Sequence, residues 1–244
     1  MSRELTVPEP YELTLDAPGK NALSTALMRH IVDEVRSAAG RPILITGAGD
    51  TFSAGLNLKE VAGLDCPGME DFLGLLDDVI DALYGHDAPT VACVNGHAIA
   101  GGCVVALCCD ARIAVDDPRV RIGLNEVALG LEFPPKILAL VRRRLPAHTL
   151  ERVVLEGGLH DPRTALSLGL VDEVATDVQA SARTWLARLA ALPQAVYAAT
   201  KRTLHAGALE LSAEQRHYFR EHIVPAWCEP ETKERVRAAL APRR

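Results

Sequence analysis

The stretch Asn95-Gly-His-Ala-Ile-Ala-Gly-Gly-Cys-Val-Val-Ala-Leu-Cys-Cys-Asp110 decides the fold of this chain. Residues 89–94 before it are apolar and β-branched, which predicts a buried strand. Residues 103–109 are apolar and free of glycine, which favours a buried helix. The strand therefore turns through glycines into a helix that begins near Gly101 and Gly102. The first N–H groups of such a helix lack partners, so this turn can hold an oxygen that becomes negative.

A second glycine-rich turn offers the same kind of donor. Residues 41–46 read as a strand, and the turn Gly47-Ala-Gly-Asp-Thr-Phe-Ser-Ala-Gly-Leu-Asn-Leu58 follows it. Ala54 and Gly55 are small enough for a bound group to approach the main chain. A single turn of this kind is usually only a turn. Two that converge would supply the paired donors of an oxyanion hole.

Three blocks of the sequence resemble the signature blocks of the enoyl-CoA hydratase/isomerase (crotonase) superfamily. They are Phe52-Ser-Ala-Gly-Leu-Asn-Leu-Lys59, Asn95-Gly-His-Ala-Ile-Ala-Gly-Gly-Cys103 and Gly169-Leu-Val-Asp-Glu-Val174. The resemblance runs from about Ala17 to Val174. Within the superfamily, residues 100–107 and 122–130 are most similar to the mitochondrial-type Δ3,Δ2-enoyl-CoA isomerases.

The pattern of elements favours an α/β protein with a helical tail. The chain has 244 residues, enough to bury a substantial core. The predicted strands are residues 11–15, 42–46, 89–94, 111–115, 120–122 and 170–174, and the predicted helices are 24–38, 69–84, 134–144, 150–155 and 162–168. From Val178 the pattern is helical, with breaks near Pro193, Gly207 and Pro225. The resemblance implies the crotonase fold: residues 1–177 form a spiral of ββα units, and 178–244 a C-terminal helical segment that builds a trimer.

The net charge and the cysteine content limit the partners and the cellular compartment that we expect for this chain. A net charge of −6 argues against wrapping a nucleic acid. Cys93, Cys103, Cys108 and Cys109 lie in apolar runs without metal-ligand spacing, so we expect reduced thiols and no metal. The N-terminus has no apolar signal region, and no apolar run approaches membrane-spanning length. We therefore expect a cytoplasmic protein that does not bind membranes.

Glu126 is the strongest candidate for proton transfer. It lies between Ile122-Gly-Leu-Asn125 and Val127-Ala-Leu129, so its neighbours in sequence are largely apolar. Loss of hydration would raise the pKa of its carboxyl and let it exchange protons near neutral pH. Composition alone would favour an exposed turn glutamate instead. The resemblance places the isomerases' catalytic glutamate on Glu126, and it places Asn125 beside the acyl chain.

Val104 separates two activities of the superfamily. The resemblance implies that hydratases use two glutamates to hold a water, and the first of them falls on Val104 in this chain. A valine neither accepts a proton nor orients water, and its methyl groups would make that side of the pocket drier. The single-glutamate pattern of the isomerases is intact.

The resemblance therefore implies a Δ3,Δ2-enoyl-CoA isomerase of fatty acid β-oxidation. The N–H groups of Ala54 and Gly101 correspond to its oxyanion hole. The other substrate-binding positions that it implies are Ser53, Gly55, Leu56, Asn57, Leu58 and Asn125. Coenzyme A is part of the substrate, and we expect no separate cofactor. Two alternatives stay open: another acyl-CoA enzyme of the superfamily (a hydratase, decarboxylase or thioester hydrolase), or a non-catalytic CoA-binding protein.

Other polar residues carry less weight. Lys59 can approach a CoA phosphate but is better explained as a solvated helix lysine, and His97 is at least as well explained by packing in its turn. Asp50, Asp110 and His160 suggest neither a triad nor a metal site. We expect residues 142–144, Arg243 and Arg244 on solvated faces.

The apolar positions of the tail predict self-association. They are Leu204, Leu209, Tyr218, Ile223 and Trp227. We expect some of them to face another subunit, which the resemblance extends to a homotrimer or a dimer of trimers.

Overall fold

The structure, a computed structural model, describes residues 9–240. Its strands are β1 Tyr11–Leu15, β2 Ile43–Gly47, β3 Thr51–Ser53, β4 Thr90–Val94, β5 His97–Ile99, β6 Ala111–Val115, β7 Ile122–Gly123 and β8 Glu173–Ala175. Its α-helices are α1 Pro18–Asn21 (a single turn), α2 Thr25–Ser37, α3 Leu58–Val61, α4 Cys66–Tyr84, α5 Gly101–Cys108, α6 Pro135–Arg144, α7 Ala147–Glu156, α8 Pro162–Leu168, α9 Val178–Ala190, α10 Gln194–His205, α11 Ala213–Tyr218, α12 Val224–Cys228 and α13 Pro230–Ala239. A 3₁₀ turn spans Val127–Leu129, and a π-helical turn spans Phe219–Ile223.

The strands form two parallel sheets. A five-stranded sheet has the order β1-β2-β4-β6-β8, and a three-stranded sheet has the order β3-β5-β7. Consecutive strands divide between them, because β2, β4 and β6 enter the large sheet while β3, β5 and β7 enter the small one. Each repeat thus adds one strand to each sheet. This confirms the predicted α/β class and the spiral of ββα units.

The small sheet lies where the sequence predicts glycine-rich turns. β3 and β5 have three residues each and lie inside those two turns. Such short strands leave no alternation to detect, and their pairing with each other depends on contacts distant in sequence. The strand predicted at residues 170–174 begins later, at Glu173, and the preceding Asp172 side chain accepts hydrogen bonds from Arg112.

Apolar layers cover both faces of the large sheet. On one face, α9 places Ala182 and Leu186 against Leu44 and Ile113 of the strands. On the other face lies the main core, to which α2, α4 and α5 contribute their buried side chains. Ser24 caps α2 as expected, accepting a hydrogen bond from Leu27 N. The helix α5 is buried along its length, so its N-terminus is fixed firmly in the core.

The tail differs from the prediction in two respects. Pro225 does not break the helical run; it lies in the first turn of α12, directly after the π-helical turn, and the chain breaks at Glu229 instead. Ile223 and Trp227 are buried within their own chain. Leu204 and Tyr218 remain exposed and stay available for contact with a second copy.

A buried ion pair joins the tail to the core. The Asp110 carboxylate accepts hydrogen bonds from Lys201 Nζ at 2.7 Å, Tyr197 OH at 2.9 Å and Thr90 N at 2.9 Å. The Lys201 and Asp110 side chains are only 7% and 12% exposed. Burial lowers the pKa of Lys201, and Asp110 opposes that change. The helix α10 is therefore attached to the large sheet by a charge pair with little access to water.

Arg144 approaches the same cluster. Its Nη2 lies 3.0 Å from Cys108 O and 4.0 Å from Asp110 Oδ1. The prediction of a solvated face is therefore wrong for Arg144, while Arg142 and Arg143 are exposed. Arg243 and Arg244 lie outside the described residues. Of the helices between residues 9 and 240, none combines the length and hydrophobicity that crossing a bilayer requires.

Candidate active site

A cavity of about 380 Å³ lies where the two glycine-rich turns meet. Most of its lining is aliphatic or aromatic. The lining residues are Ala54, Leu56, Leu58, Leu73, Leu76, Ile99, Ala100, Gly101, Asn125, Glu126, Leu129, Leu131, Pro134, Ile137, Leu159, Trp227, Ala238 and Ala239. The volume falls in the lower part of the range for small-molecule sites, roughly 300–1,000 Å³. Within the described lining, Glu126 carries the one carboxyl group.

The turn before α5, residues 95–100, places the N-terminus of that helix at this cavity. Ala100 has φ 48 and ψ −119, a left-handed conformation that is costly for a residue with a side chain. The hydrogen bond from Ala100 N to Gly123 O, at 2.8 Å, holds it there. The N–H of the following Gly101 has no hydrogen-bond partner among the described residues. This donor therefore remains available to a bound group at the cavity wall.

The second turn packs directly on the first. Gly55 has φ +86, and a Cβ built on it would lie 2.6 Å from Ile99 O and 3.4 Å from Gly101 N. A Cβ on Gly102 would lie 2.4 Å from Ser53 O. The two turns approach so closely that side chains at Gly55 and Gly102 would separate them. The convergence predicted from the sequence is thus present.

The donor on the second turn differs from the predicted one. Ala54 lines the cavity, but its N–H donates to Lys20 O at 3.0 Å, which argues against its role in an oxyanion hole. Two residues on, Leu56 forms a β-bridge with Leu23: Leu23 N donates to Gly55 O, and Asn57 N donates to Leu23 O. In such a bridge the Leu56 N–H points away from Leu23, and it has no partner among the described residues. Leu56 therefore replaces Ala54 as the candidate donor.

The remaining predicted binding residues divide into two groups. Leu56, Leu58, Gly101 and Asn125 line the cavity. Ser53, Gly55 and Asn57 do not, and they support the turn instead.

The supporting contacts are specific. Ser53 Oγ donates to Asn21 O at 2.7 Å and accepts from Gly55 N at 3.3 Å. Asn57 caps α3 by accepting from Glu60 N. These side chains fix the path of the main chain that presents Leu56 N.

Glu126 has the environment that proton transfer requires. It is 5% exposed, and its Oε2 is buried without a hydrogen-bond partner. Burial raises the pKa of its carboxyl from the ordinary 4.5 to about 7. A group with this pKa can both take up and release a proton near neutrality. The neighbouring Asn125 also has a buried, unpartnered side-chain oxygen, Oδ1.

Val104 lies one turn into α5 and is fully buried in the main core. It is not among the cavity-lining residues, so its methyl groups act behind the wall rather than on its surface. The position at which the resemblance implies a second glutamate in the hydratases is thus occupied by a hydrocarbon group.

The weaker candidates mostly have structural roles. His97 Nδ1 accepts from Arg121 N at 2.9 Å, and His160 pairs with Ile122 in a β-bridge. Lys59 is exposed on α3. Between residues 9 and 240, no group of His, Cys, Asp and Glu is arranged to hold a metal ion.

The sequence analysis did not identify the contribution of the tail to this site. Trp227, Ala238 and Ala239 line the cavity, although they follow Glu126 by about a hundred residues. The apolar character of Trp227 favoured a subunit contact, and nothing in the local pattern distinguishes a cavity wall from such a contact.

A family model and known proteins match this chain over most of its length. A family model described as enoyl-CoA hydratase/isomerase matches residues 11–234. The protein "Enoyl-CoA delta isomerase 1, mitochondrial" of Homo sapiens is 32% identical over 191 residues, which cover 75% of this chain and 63% of that protein. The chain thus matches less than two thirds of the length of that relative. "Probable enoyl-CoA hydratase echA17" of Mycolicibacterium paratuberculosis is 32% identical over 217 residues, 84% of each chain.

Two solved structures share the fold over nearly the whole chain. The human mitochondrial delta3-delta2-enoyl-CoA isomerase superposes with a TM-score of 0.89 at 27% identity, covering 95% of this chain and 92% of that one. The enoyl-CoA hydratase from Bacillus halodurans gives 0.82 at 25% identity, with 94% and 96% covered. Relatives named for isomerisation and for hydration are comparably similar, so the choice between the two activities depends on the site. The crotonase fold and the family match together show that this chain belongs to the enoyl-CoA hydratase/isomerase family.

Proposed function

We propose that the chain is a Δ3,Δ2-enoyl-CoA isomerase, which moves a double bond from C3 to C2 of an acyl-CoA. The observation that carries this proposal is Glu126, the one buried carboxyl in the described lining of an otherwise largely apolar cavity beside the N-terminus of α5. A shift of a double bond needs one group that removes a proton at C2 and returns it at C4. One carboxyl suffices for both steps.

In the first step, the thioester oxygen would accept hydrogen bonds from Leu56 N–H and Gly101 N–H. The Glu126 carboxylate takes the C2 proton, and the C2–H electron pair moves into the dienolate. The negative charge then rests on the thioester oxygen, where the two N–H donors and the dipole of α5 stabilise it. Neither N–H has a competing partner among the described residues.

In the second step, the protonated Glu126 donates its proton to C4. The electron pair moves back, the C2–C3 double bond forms, and the thioester carbonyl is restored. A pKa of about 7 suits both steps, since the acid and base forms are then close in free energy. Among the described residues, no protein group competes with the buried Oε2 of Glu126 for this proton.

Two of the alternatives, hydration and decarboxylation, require groups that the described lining does not offer. Hydration needs a water held by a second carboxylate, and the corresponding position is Val104. Decarboxylation needs an acyl group that carries a carboxylate, and the described lining contains neither lysine nor arginine to bind one. The comparable similarity to hydratase-named relatives nevertheless makes hydration the activity to test directly.

The test compares two reactions of the purified protein. Formation of 2-enoyl-CoA from cis- and trans-3-enoyl-CoAs is followed through the ultraviolet absorbance of the conjugated thioester, and hydration of crotonyl-CoA is followed through its loss. We expect isomerisation with little hydration. Robust hydration, with isomerisation slow or absent, would overturn the proposal.

A further inference from the structure

The cavity has an open end and a closed end. Ala238 and Ala239 of α13 are exposed and mark the end that reaches solvent. The buried part of the lining, here called the interior end, includes Leu73, Ile137 and Trp227, which are each 3% exposed or less. A CoA thioester has a large polar portion that must stay in water, so the acyl tail is the part that can occupy the interior end.

Trp227 is the largest side chain in the lining, and its position is fixed. Its indole Nε1 donates to Glu132 O at 3.0 Å. Glu132 belongs to the same segment as Glu126, whose own carbonyl oxygen accepts from Leu131 N at 2.9 Å. The indole is thus attached to the loop that carries the base, which fixes its position relative to that base.

Apart from Asn125 and Glu126, the described lining has no side-chain group free to recognise a polar substituent. Its other buried side chains are leucine, isoleucine, proline and tryptophan, and the one indole N–H is already committed to Glu132 O. A hydroxyl or carboxylate placed there would lose its hydration without gaining a partner. The chemistry therefore favours an unsubstituted hydrocarbon chain.

We propose that Trp227 is the end wall of the acyl site and limits the substrate to straight, unsubstituted hydrocarbon chains short enough to end at its indole ring. The reaction in this proposal rests on the proposed function, whereas the limit on chain length rests on the cavity alone. Below the limit, each further methylene buried should improve kcat/KM roughly fourfold, from the free energy of burying one CH₂ group. Beyond it, the gain should stop or reverse.

The experiment measures kcat/KM for a series of straight-chain 3-enoyl-CoAs with the wild type, Trp227→Leu and Trp227→Ala. We expect the chain length of maximal kcat/KM to increase in Trp227→Leu and further in Trp227→Ala. Trp185→Ala is the matched control. Trp185 lies on the face of the large sheet that α9 covers, away from the cavity, and its indole N–H donates to Glu173. An unchanged maximum in a folded Trp227→Leu variant would overturn the proposal.

A second measurement separates this proposal from the proposed reaction. Calorimetric affinities for saturated straight-chain acyl-CoAs should show the same maximum and the same displacement, whether or not the protein isomerises anything. If the protein does not isomerise but the chain length of maximal affinity still increases in Trp227→Leu, the proposed reaction is wrong and the proposed role of Trp227 is supported. If the chain length of maximal affinity is the same in the wild type and in Trp227→Leu, the proposed role of Trp227 is wrong. Trp227→Leu retains most of the buried volume and keeps the test possible should Trp227→Ala not fold.

Discussion

Gly102 contacts the main chain of Ser53 so closely that a Cβ on the glycine would lie 2.4 Å from the serine carbonyl oxygen. The contact joins the first turn of α5 to the strand β3, and hence joins the two turns that present Gly101 N and Leu56 N. The spacing of the two candidate oxyanion donors therefore depends on the absence of one methyl group.

Gly102→Ala should displace one turn from the other. We expect a destabilisation of about 1–3 kcal/mol from overpacking and a loss of kcat of about a hundredfold or more from a misplaced donor. Gly74→Ala on α4 is the control, since a Cβ there meets nothing within 4 Å. Wild-type kcat in a folded Gly102→Ala variant would contradict this role of the contact.

Glu126→Gln should fold and bind acyl-CoA but lose isomerase activity. The amide keeps the shape of the side chain and cannot carry the proton, so we expect a loss of about two to four orders of magnitude. Calorimetry with a saturated acyl-CoA checks binding. Glu132→Gln serves as the control, because Glu132 is exposed and its carboxylate accepts only from Tyr218 in the described structure. Near-wild-type turnover by Glu126→Gln would show that the Glu126 carboxyl does not carry the proton.

The pH dependence of kcat/KM should follow the Glu126 carboxyl. Burial raises its pKa to about 7, and only the carboxylate can remove the C2 proton. The rate should therefore rise roughly tenfold per pH unit in acid and level off above about 7. A profile that levels off near the pKa of an ordinary glutamate would show that the base is solvated or is another group.

The same carboxyl should make stability depend on pH. Because its pKa is higher in the folded state, 4.5 rising to about 7, the folded protein binds the proton more tightly. Its stabilising contribution is complete below the unfolded value and is lost as pH rises through about 7, a change of about 3 kcal/mol at most. Glu126→Gln should therefore be more stable than the wild type at pH about 8, and this advantage should shrink at pH about 5. Urea midpoints that differ equally at both pH values would contradict the raised pKa.

Lys201→Met should destabilise the protein by about 3–5 kcal/mol, because it leaves the Asp110 carboxylate without its buried cation. The double variant Asp110→Asn with Lys201→Met should recover part of that loss, since both charges of the pair are then removed and Arg144 keeps its hydrogen bond to Cys108 O. Denaturant midpoints of the single and double variants measure the difference. Equal stability of Lys201→Met and the wild type would mean that water replaces the lysine.

Local patterns were sufficient to predict the helix start at Gly101 and the capping of α2 by Ser24. Both are encoded within a few residues, as glycines before an apolar run and a serine before an amphipathic helix. The choice of Glu126 also needed the resemblance, because composition alone favours an exposed turn glutamate at that position. The donor at Leu56 was not predictable, because it depends on which N–H groups Lys20 O and Leu23 O engage across the fold. Trp227 was missed as a wall residue for the same reason. Its apolar type was compatible with a subunit contact, and its partner Glu132 lies 95 residues earlier in the chain.

The alternation of strands between the two sheets also affects the order in which activity appears during folding. Leu56, Gly101 and Glu126 come from three successive repeats, and Trp227 comes from the tail. No early folding unit confined to one repeat would contain more than one of these groups. Because the contacts between them are distant in sequence, they should form late relative to the helices. In refolding experiments, the recovery of acyl-CoA binding should therefore lag behind the recovery of far-ultraviolet circular dichroism.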